Sequence, residues 1–287
     1  MKPAAFDYVR PANLSEALQA LARYGSKGKI LAGGQSLVPM MNLRLVRPEV
    51  VIDINRLPAL DHIRVEGGEL LIGALARHSA LYDSPIIAQH FPLMSEAYRH
   101  VAHKPIRNRG TLGGNVSHAD PASEMPAVLL AGDAMLLASS SNTQRRIAAK
   151  DFFQGPLQTA LKTDELLTEI RIPVAPAGRG YAFEEEATRK GDFALAAVAV
   201  LLDVSGGACA KAAIAVAGMG DCATRLREVE SSLAGKLIND DAIVQAARTA
   251  KQSVTPIASY HADVEFKRDL VEALTARALR RALARCK

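Results

Sequence analysis

Two glycine-rich segments constrain this chain more than any other feature of its sequence. The first spans residues 31–37 (LAGGQSL) and the second spans residues 111–115 (TLGGN). Adjacent glycines let backbone N–H groups converge on one point, because no Cβ stands in the way, and such a nest suits a phosphate. One Gly-Gly pair is more often an ordinary tight turn. Two pairs with hydroxyl or amide flanks predict a site for the two phosphates of a dinucleotide.

Composition excludes several classes of protein. The 287 residues, 49% of them hydrophobic, can bury a large core and suggest two domains. The net charge of +5 is spread over stretches of mixed sign, so the sequence does not show the basic cluster that is typical of nucleic-acid-binding proteins. Cys209, Cys222 and Cys286 form no metal or cluster motif, so an iron–sulfur cofactor must lie on another chain. Their wide spacing and the lack of a signal peptide or apolar span predict a cytoplasmic protein without a membrane span.

The first 176 residues mix helices with strands that pair in an antiparallel sheet. Asn13 is placed to cap a helix, with Glu16 three residues on, and a strand then enters the first glycine segment. Residues 61–73 predict a hairpin that turns at the Gly67-Gly68 pair, which disfavours a Rossmann fold. The remaining predictions are helices over 79–89, 92–103 and from about 124, and strands over 50–54, 133–139, 145–148 and 166–172.

A linker rich in Pro and Gly, residues 173–180, predicts a domain boundary between residues 176 and 177. Beyond it, the apolar pattern predicts a three-stranded antiparallel sheet and three helices, an α+β domain. The predicted strands are 181–186, 194–202 and 212–217, and the predicted helices lie near 224–233, 240–255 and 262–286.

Three further motifs favour structural interpretations. Residues 218–223 (GMGDCA) fit the nicotinamide-dinucleotide pattern G-x-G-x-x-A, but no βαβ unit surrounds them, so we interpret them as a loop entering a packed helix. His100 and His103 lack a companion acidic ligand, which favours solvated or core histidines. Residues 184–186 (EEE) predict a partly solvated strand rather than an acid/base pair, because adjacent strand residues point to opposite faces.

Four segments, taken in order, resemble the flavoprotein subunits of molybdenum hydroxylases. The resemblance covers nearly the whole chain. The first segment is AGGQSL at 32–37 with Met41 and Leu43-Arg44, and the second is RN at 107–108 with TLGGN at 111–115 and ADPA at 119–122. The third is GDFA at 191–194, and the fourth is Gly218 with TR at 224–225 and residues 230–235. It implies an α+β fold. A vanillyl-alcohol-oxidase (PCMH)-type FAD-binding domain would span residues 1–176, divided near residue 55, and a C-terminal domain would span 177–287.

The same resemblance implies which residues contact FAD, and it implies no catalytic residue and no metal ligand. Those assigned to the two glycine segments around the pyrophosphate are Ala32, Gly33, Gly34, Gln35, Ser36, Leu37, Thr111, Leu112, Gly113, Gly114 and Asn115. Glu124 would accept hydrogen bonds from sugar or ribityl hydroxyls, and Leu167 would meet the flavin edge. Asp192 and Phe193 would lie near the ring, although Phe193 also suits the core at the start of the apolar run to Leu202.

The resemblance also implies partners. A small subunit would carry [2Fe-2S] clusters and a large subunit molybdopterin, in a dimer of heterotrimers that passes electrons through FAD to an external acceptor. Glu185 and residues 189–192 (RKGD) look closer to the branch that acts on N-heteroaromatic compounds. Two alternatives stay open: a stand-alone FAD-dependent oxidase, for which we find no candidate base, and a non-catalytic nucleotide-binding module.

Overall fold

The computed structural model describes residues 1–287 and begins with a small parallel sheet. Its elements are β1 (Asp7–Val9), α1 (Leu14–Tyr24), β2 (Gly28–Leu31), α2 (Leu37–Asn42) and β3 (Val50–Asp53). β3 lies between β1 and β2 and pairs with both in parallel. Asn13 caps α1, since its side-chain oxygen accepts the Glu16 N–H at 3.0 Å, which confirms the predicted cap.

A five-stranded antiparallel sheet forms the centre of the molecule, in the order β4-β5-β10-β6-β7. The elements of this part are β4 (Ile63–Glu66), β5 (Glu69–Gly73), α3 (His78–Tyr82), α4 (Pro85–His90), α5 (Pro92–Ala97), α6 (Lys104–Arg107), α7 (Leu112–His118), α8 (Glu124–Ala131), β6 (Met135–Ser139), β7 (Gln144–Ala148), α9 (Ala149–Phe152), β8 (Phe153–Gly155), β9 (Gln158–Thr159) and β10 (Leu166–Pro173). The predicted hairpin and strands are confirmed, whereas both long helices predicted between residues 79 and 103 are shorter. Pro85 divides the first of them into α3 and α4, because proline suits the first helical turn and not the interior. The second begins at Pro92, as predicted, but ends at Ala97.

The C-terminal part is an antiparallel sheet of four strands followed by three helices. Its elements are β11 (Gly180–Ala187), β12 (Ala194–Ser205), β13 (Ala208–Ala217), β14 (Thr224–Arg225), α10 (Arg227–Leu233), α11 (Asp240–Ser253) and α12 (Val264–Leu283). The sequence predicts three strands, and the fourth is the two-residue β14, which pairs with Ala215 and Val216. That pairing is why the helix predicted from residue 224 begins at Arg227.

The C-terminal sheet is buried on both faces. Alternate residues of β12 belong to different hydrophobic clusters: Ala197, Ala199 and Leu201 pack with the central sheet, whereas Val198 and Val200 pack under α10–α12. A strand of this kind is a continuous apolar run rather than an alternating one. Residues 184–186 form part of β11 and are partly solvated, as the sequence predicts, and the exposed residue of the three is Glu186.

An ion cluster joins the helix α5 to the C-terminal part. Glu96 is 6% exposed and is paired with Arg281 and with Arg285, whose NH1 lies 2.8 Å from its carboxylate. Arg281 also pairs with Glu184 on β11, and the Arg285 guanidinium lies 4.4 Å from the ring centroid of Tyr181. Buried carboxylates need such partners, so this cluster fixes how α5 sits against β11 and α12.

No helix in the structure has the length and apolar character needed to cross a membrane.

Candidate cofactor site

One cavity of about 1300 Å³ lies where the two glycine segments meet the C-terminal sheet. Its walls contain every residue that the sequence predicts at the site except Leu112, which is fully buried at the start of α7. The predicted residues that line it are Ala32, Gly33, Gly34, Gln35, Ser36, Leu37, Thr111, Gly113, Gly114, Asn115, Glu124, Leu167, Asp192 and Phe193. The fold therefore brings together residues that lie up to 161 positions apart in the chain, from Ala32 to Phe193.

The first glycine segment offers unpaired donors to this cavity. None of the backbone N–H groups from Gly33 to Ser36 donates a hydrogen bond within the protein. Gly34 has φ +72°, a left-handed conformation that side chains with a Cβ rarely adopt. Ser36 precedes α2 without making a capping bond, so its hydroxyl is also free for a ligand. Four consecutive free N–H groups at a cavity wall are the kind of donors that the predicted anion nest requires.

Glycine is required at position 33 for a different reason, which is the close packing of two backbone segments. A Cβ at this position would meet the Arg109 carbonyl oxygen and would lie 2.7 Å from the Gly110 Cα. The first segment thus packs directly against the backbone that leads into the second. Glycine at position 33 is required for this close approach of two backbones rather than for space that a phosphate would fill.

The second glycine segment is not a turn but the first turn of α7. The Thr111 Oγ1 accepts the Gly114 N–H at 3.1 Å, and the N–H groups of Leu112 and Gly113 donate to the carbonyl oxygens of Ala76 and Ala74. Gly113 also has no room for a Cβ, which would come within 2.5 Å of the Ala74 Cβ. The N–H groups of this segment are therefore already used to seat α7 on the central sheet.

What the second segment offers a ligand is side-chain groups. A Cβ on Gly114 would lie 2.8 Å from the Thr111 Oγ1 and 3.8 Å from the Ala32 Cβ, so glycine here avoids a close contact with the Thr111 hydroxyl, and the two segments lie near each other. The Asn115 amide exchanges hydrogen bonds of 2.8 and 3.0 Å with Ser123. That pairing positions the start of α8, where Glu124 lines the cavity although it is only 5% exposed. Burial raises the pKa of Glu124 to about 7.

Leu167, Asp192 and Phe193 lie on the remaining walls of the cavity. Leu167 is buried beside a β-bulge in β10, and Asp192 accepts a 3.0 Å hydrogen bond from Arg189. Phe193 is 60% exposed, so its interpretation as a core aromatic is wrong. The ring stands at the cavity instead, available to cover a planar ligand.

The sequence reasoning missed several lining residues. His78 is 4% exposed, and burial lowers the pKa of its ring to about 4. From the C-terminal part come residues 218–221, 257–259 and Lys267, whose Nζ donates to the Gly218 carbonyl at 2.9 Å. The G-x-G-x-x-A motif at residues 218–223 could have indicated some of these lining residues. It forms a loop, as predicted, and both of its glycines line this cavity. The loop leads into β14 before it reaches a helix.

Two family models match the chain and together cover most of it. The model described as the FAD binding domain in molybdopterin dehydrogenase matches residues 4–175, and that of the CO dehydrogenase flavoprotein C-terminal domain matches residues 181–282.

Full-length relatives agree with these matches. The chain is 42% identical to the caffeine dehydrogenase subunit beta of Pseudomonas sp. (strain CBB1), over 99% of this chain and 97% of that one. It is 41% identical to subunit alpha of the 6-hydroxypseudooxynicotine dehydrogenase complex of Paenarthrobacter nicotinovorans, over 100% and 97%. Among solved structures, carbon monoxide dehydrogenase from Hydrogenophaga pseudoflava superposes with a TM-score of 0.98 at 38% identity, covering all of both chains.

The fold and the cavity define an FAD-binding flavoprotein, and the predicted α+β class is confirmed. The chain belongs to the family of FAD-binding medium subunits of molybdenum hydroxylases, and it is part of an oxidoreductase.

Proposed function

We propose that the cavity holds FAD with its pyrophosphate between the two glycine segments. The observation that carries this proposal is the row of four free N–H groups from Gly33 to Ser36 at the wall of the cavity, which Gly114 of the second segment also lines. A diphosphate needs several such donors, and the cavity of about 1300 Å³ is large enough for a dinucleotide.

The other predicted residues contact the rest of the cofactor. Thr111 contributes a hydroxyl at the second segment, and Glu124 contributes a carboxyl to sugar or ribityl hydroxyls. Leu167 and Phe193 enclose the ring system, with Asp192 held beside it by Arg189. Bound FAD accepts single electrons and delivers pairs, and the chain's part is to orient the cofactor and limit its access to water.

We further propose that this chain works between two partners in a dimer of heterotrimers. A small subunit with [2Fe-2S] clusters supplies electrons, and a large molybdopterin subunit hydroxylates the substrate. The support is that the relatives in the comparison are named as subunits or medium chains and match this chain over nearly their full length. The substrate of the complex is an N-heteroaromatic compound, since two relatives at 41% and 42% identity are named for 6-hydroxypseudooxynicotine and caffeine.

Two smaller proposals accompany this assignment. The chain divides between residues 176 and 177, with a subdivision near residue 55, because the two family models end and begin on either side of the linker. The cytoplasmic location stays a prediction from the use of cysteine, of which all three are free.

The purified full chain tests the assignment directly. We expect it to bind FAD, to show flavin absorption bands that dithionite bleaches, and to leave N-heteroaromatic substrates unoxidised until the iron–sulfur and molybdopterin subunits are added. Bleaching by substrate with this chain alone would favour the stand-alone oxidase. Binding of FAD that dithionite cannot reduce would favour the non-catalytic module.

A further inference from the structure

Lys267 is a buried cation in the wall of the cofactor cavity. It is the fourth residue of α12, it lines the cavity, and it is only 7% exposed. Its Nζ donates one hydrogen bond within the protein, to the Gly218 carbonyl oxygen at 2.9 Å. It forms no salt bridge, in contrast to Lys251 on α11, which pairs with two carboxylates of α12. An ammonium group has three N–H donors, so two remain for a ligand.

A lone positive charge at this position costs free energy. Buried lysines are nearly always paired, because removal from water penalises the charged form. Burial lowers the pKa of Lys267, and no acidic neighbour acts in the opposite direction. The residue also lies near the N-terminus of a 20-residue helix, where the helix dipole favours anions over cations. An unpaired cation here therefore points to negative charge that arrives with a ligand.

Lys267 is held close to the residues that we assign to the flavin ring. Its hydrogen-bond acceptor, Gly218, packs on the backbone that follows Phe193. A Cβ on Gly218 would lie 2.8 Å from the Leu195 carbonyl oxygen and 3.0 Å from that of Ala194. The ammonium group is thus fixed beside the start of β12, directly after the ring of Phe193 in the chain.

The other cationic side chains of the cavity walls are open to solvent. They are Lys29, Lys162 and Arg189. Water and salt screen exposed charges, whereas a buried charge acts over several ångströms with little screening. His78 is buried, but its pKa of about 4 leaves the ring neutral. Lys267 is therefore the buried positive charge that can act on a ring system in this cavity.

Reduction of a flavin brings negative charge into its site. Two electrons from the iron–sulfur partner and one proton from solvent convert the neutral oxidised ring into a reduced ring with one net negative charge. We propose that the Lys267 ammonium group stabilises this charge and so raises the reduction potential of FAD in the cavity. The effect arises because a fixed charge near the ring interacts more strongly with the reduced form than with the oxidised form. This proposal rests on the proposed binding of FAD.

The test compares Lys267→Gln with Arg268→Gln in the FAD-loaded full chain. The first change removes the charge and keeps an N–H donor for the Gly218 carbonyl. The second removes the neighbouring charge on α12, which pairs with Glu265 at 2.7 Å outside the cavity. Potentiometric titration with dithionite compares the binding of reduced and oxidised FAD in each variant.

We expect Lys267→Gln to weaken the binding of reduced FAD relative to oxidised FAD at least about tenfold, which lowers the two-electron potential by about 30 mV. Arg268→Gln should change this ratio less than about twofold, because its charge is partly exposed and already paired. Lys267→Arg keeps the charge and should retain most of the wild-type potential. An unchanged potential in Lys267→Gln with FAD bound, or equal shifts in the Lys267→Gln and Arg268→Gln variants, would overturn the proposal.

Stability of the apoprotein separates this role from a purely structural one. If Lys267 only ties α12 to the Gly218 loop, Lys267→Gln should lower the Tm and leave the potential unchanged, and that result would overturn the proposal. We expect a Tm equal to or above that of the wild type, because the change removes an unpaired buried charge and keeps a donor.

The wild-type chain provides a measurement that does not depend on a neutral variant. Coupling between two sites is reciprocal, so reduction of the flavin must raise the pKa of Lys267 if Lys267 favours reduction. NMR signals of the lysine side chains, with Lys267→Arg for assignment, should show this rise when dithionite reduces the flavin, and no change would overturn the proposal. Failure of the wild-type chain to bind FAD would refute the proposed function instead, so the two failures are distinguishable.

Discussion

Gly33→Ala tests how the two glycine segments cooperate. The added Cβ would lie 2.7 Å from the Gly110 Cα, and ordinary van der Waals contact begins at 3.4 Å, so the two backbones must separate by at least about 0.7 Å, and the Arg109 carbonyl oxygen would lie closer still. The nearest obstacle is the Arg109 carbonyl, which belongs to the backbone and cannot rotate away as a side chain would. The segment with the four free N–H groups therefore has to move.

The expected size of the effect follows from overpacking. Extra atoms in a close-packed contact cost about 1–3 kcal/mol. If the strain is relieved by displacing the Gly33–Ser36 donors from the pyrophosphate, the same free energy is lost from binding, and the Kd for FAD rises about 5- to 150-fold. The apoprotein should stay folded, because Gly33 lies at the cavity wall and outside the three hydrophobic clusters.

Titration of apoprotein with FAD, followed by flavin fluorescence, measures the change in Kd. Gly155→Ala is the matched control, since a Cβ there meets nothing closer than 3.7 Å and the residue does not have a positive φ. We expect this control to bind FAD normally and to be neutral or slightly more stable. A wild-type Kd in Gly33→Ala, or an equal loss in the control, would refute the packing argument.

Three other perturbations have defined outcomes. Phe193→Ala should change the apoprotein's free energy of unfolding by less than about 1 kcal/mol, because the ring is 60% exposed. It should alter the flavin potential or speed the reaction of reduced flavin with oxygen. A large loss of Tm with unchanged flavin properties would contradict this expectation. Arg281→Ala removes a partner of the buried Glu96 and should lower the free energy of unfolding by about 1–3 kcal/mol. The control Arg280→Ala removes a pair with an exposed partner and should lower it by less than about 1 kcal/mol. Equal losses in thermal or denaturant unfolding would argue against the ion cluster. The apoprotein should lose stability as pH rises from about 6.5 to about 8, because the folded chain keeps protons on Glu124 and Glu185 that the unfolded chain releases. Below this range the lowered pKa of the buried His78 acts in the opposite direction. Glu185→Gln should flatten the dependence above about pH 6.5 in denaturant unfolding, and a flat wild-type curve in that range would show that these carboxyls ionise normally.

Local sequence determined much of the fold. The Asn13 cap, the hairpin turning at Gly67-Gly68 and the long apolar strands all follow from interactions between residues close in the chain. The helix limits were less well predicted, because Pro85 interrupts what the apolar pattern presents as one helix and the helix that begins at Pro92 ends at Ala97. Strand β14 was missed because its only signal is the partner strand, which lies several residues away.

The glycine segments show where local reasoning ends. Both sequences permit an N–H nest, but only the first keeps its donors free, because the carbonyl groups of Ala74 and Ala76 take those of the second. Whether an N–H group is available depends on which backbone packs against it, and that is decided by distant residues.

Burial was likewise decided by tertiary structure. A run of three glutamates is most simply a solvated strand, yet β11 lies between two layers, so Glu184 meets arginines of α12 and Glu185 is enclosed against His100. Phe193 shows the reverse, exposure in place of expected burial: an aromatic residue at the start of an apolar strand suits a core, but this side chain is exposed at the cavity. The sequence by itself determined the family and the cofactor, because those depend on motifs, and all but one of the site residues that it predicts line the cavity. The environment and ionisation of each group were decided only when distant elements packed together, because desolvation depends on all neighbours in space.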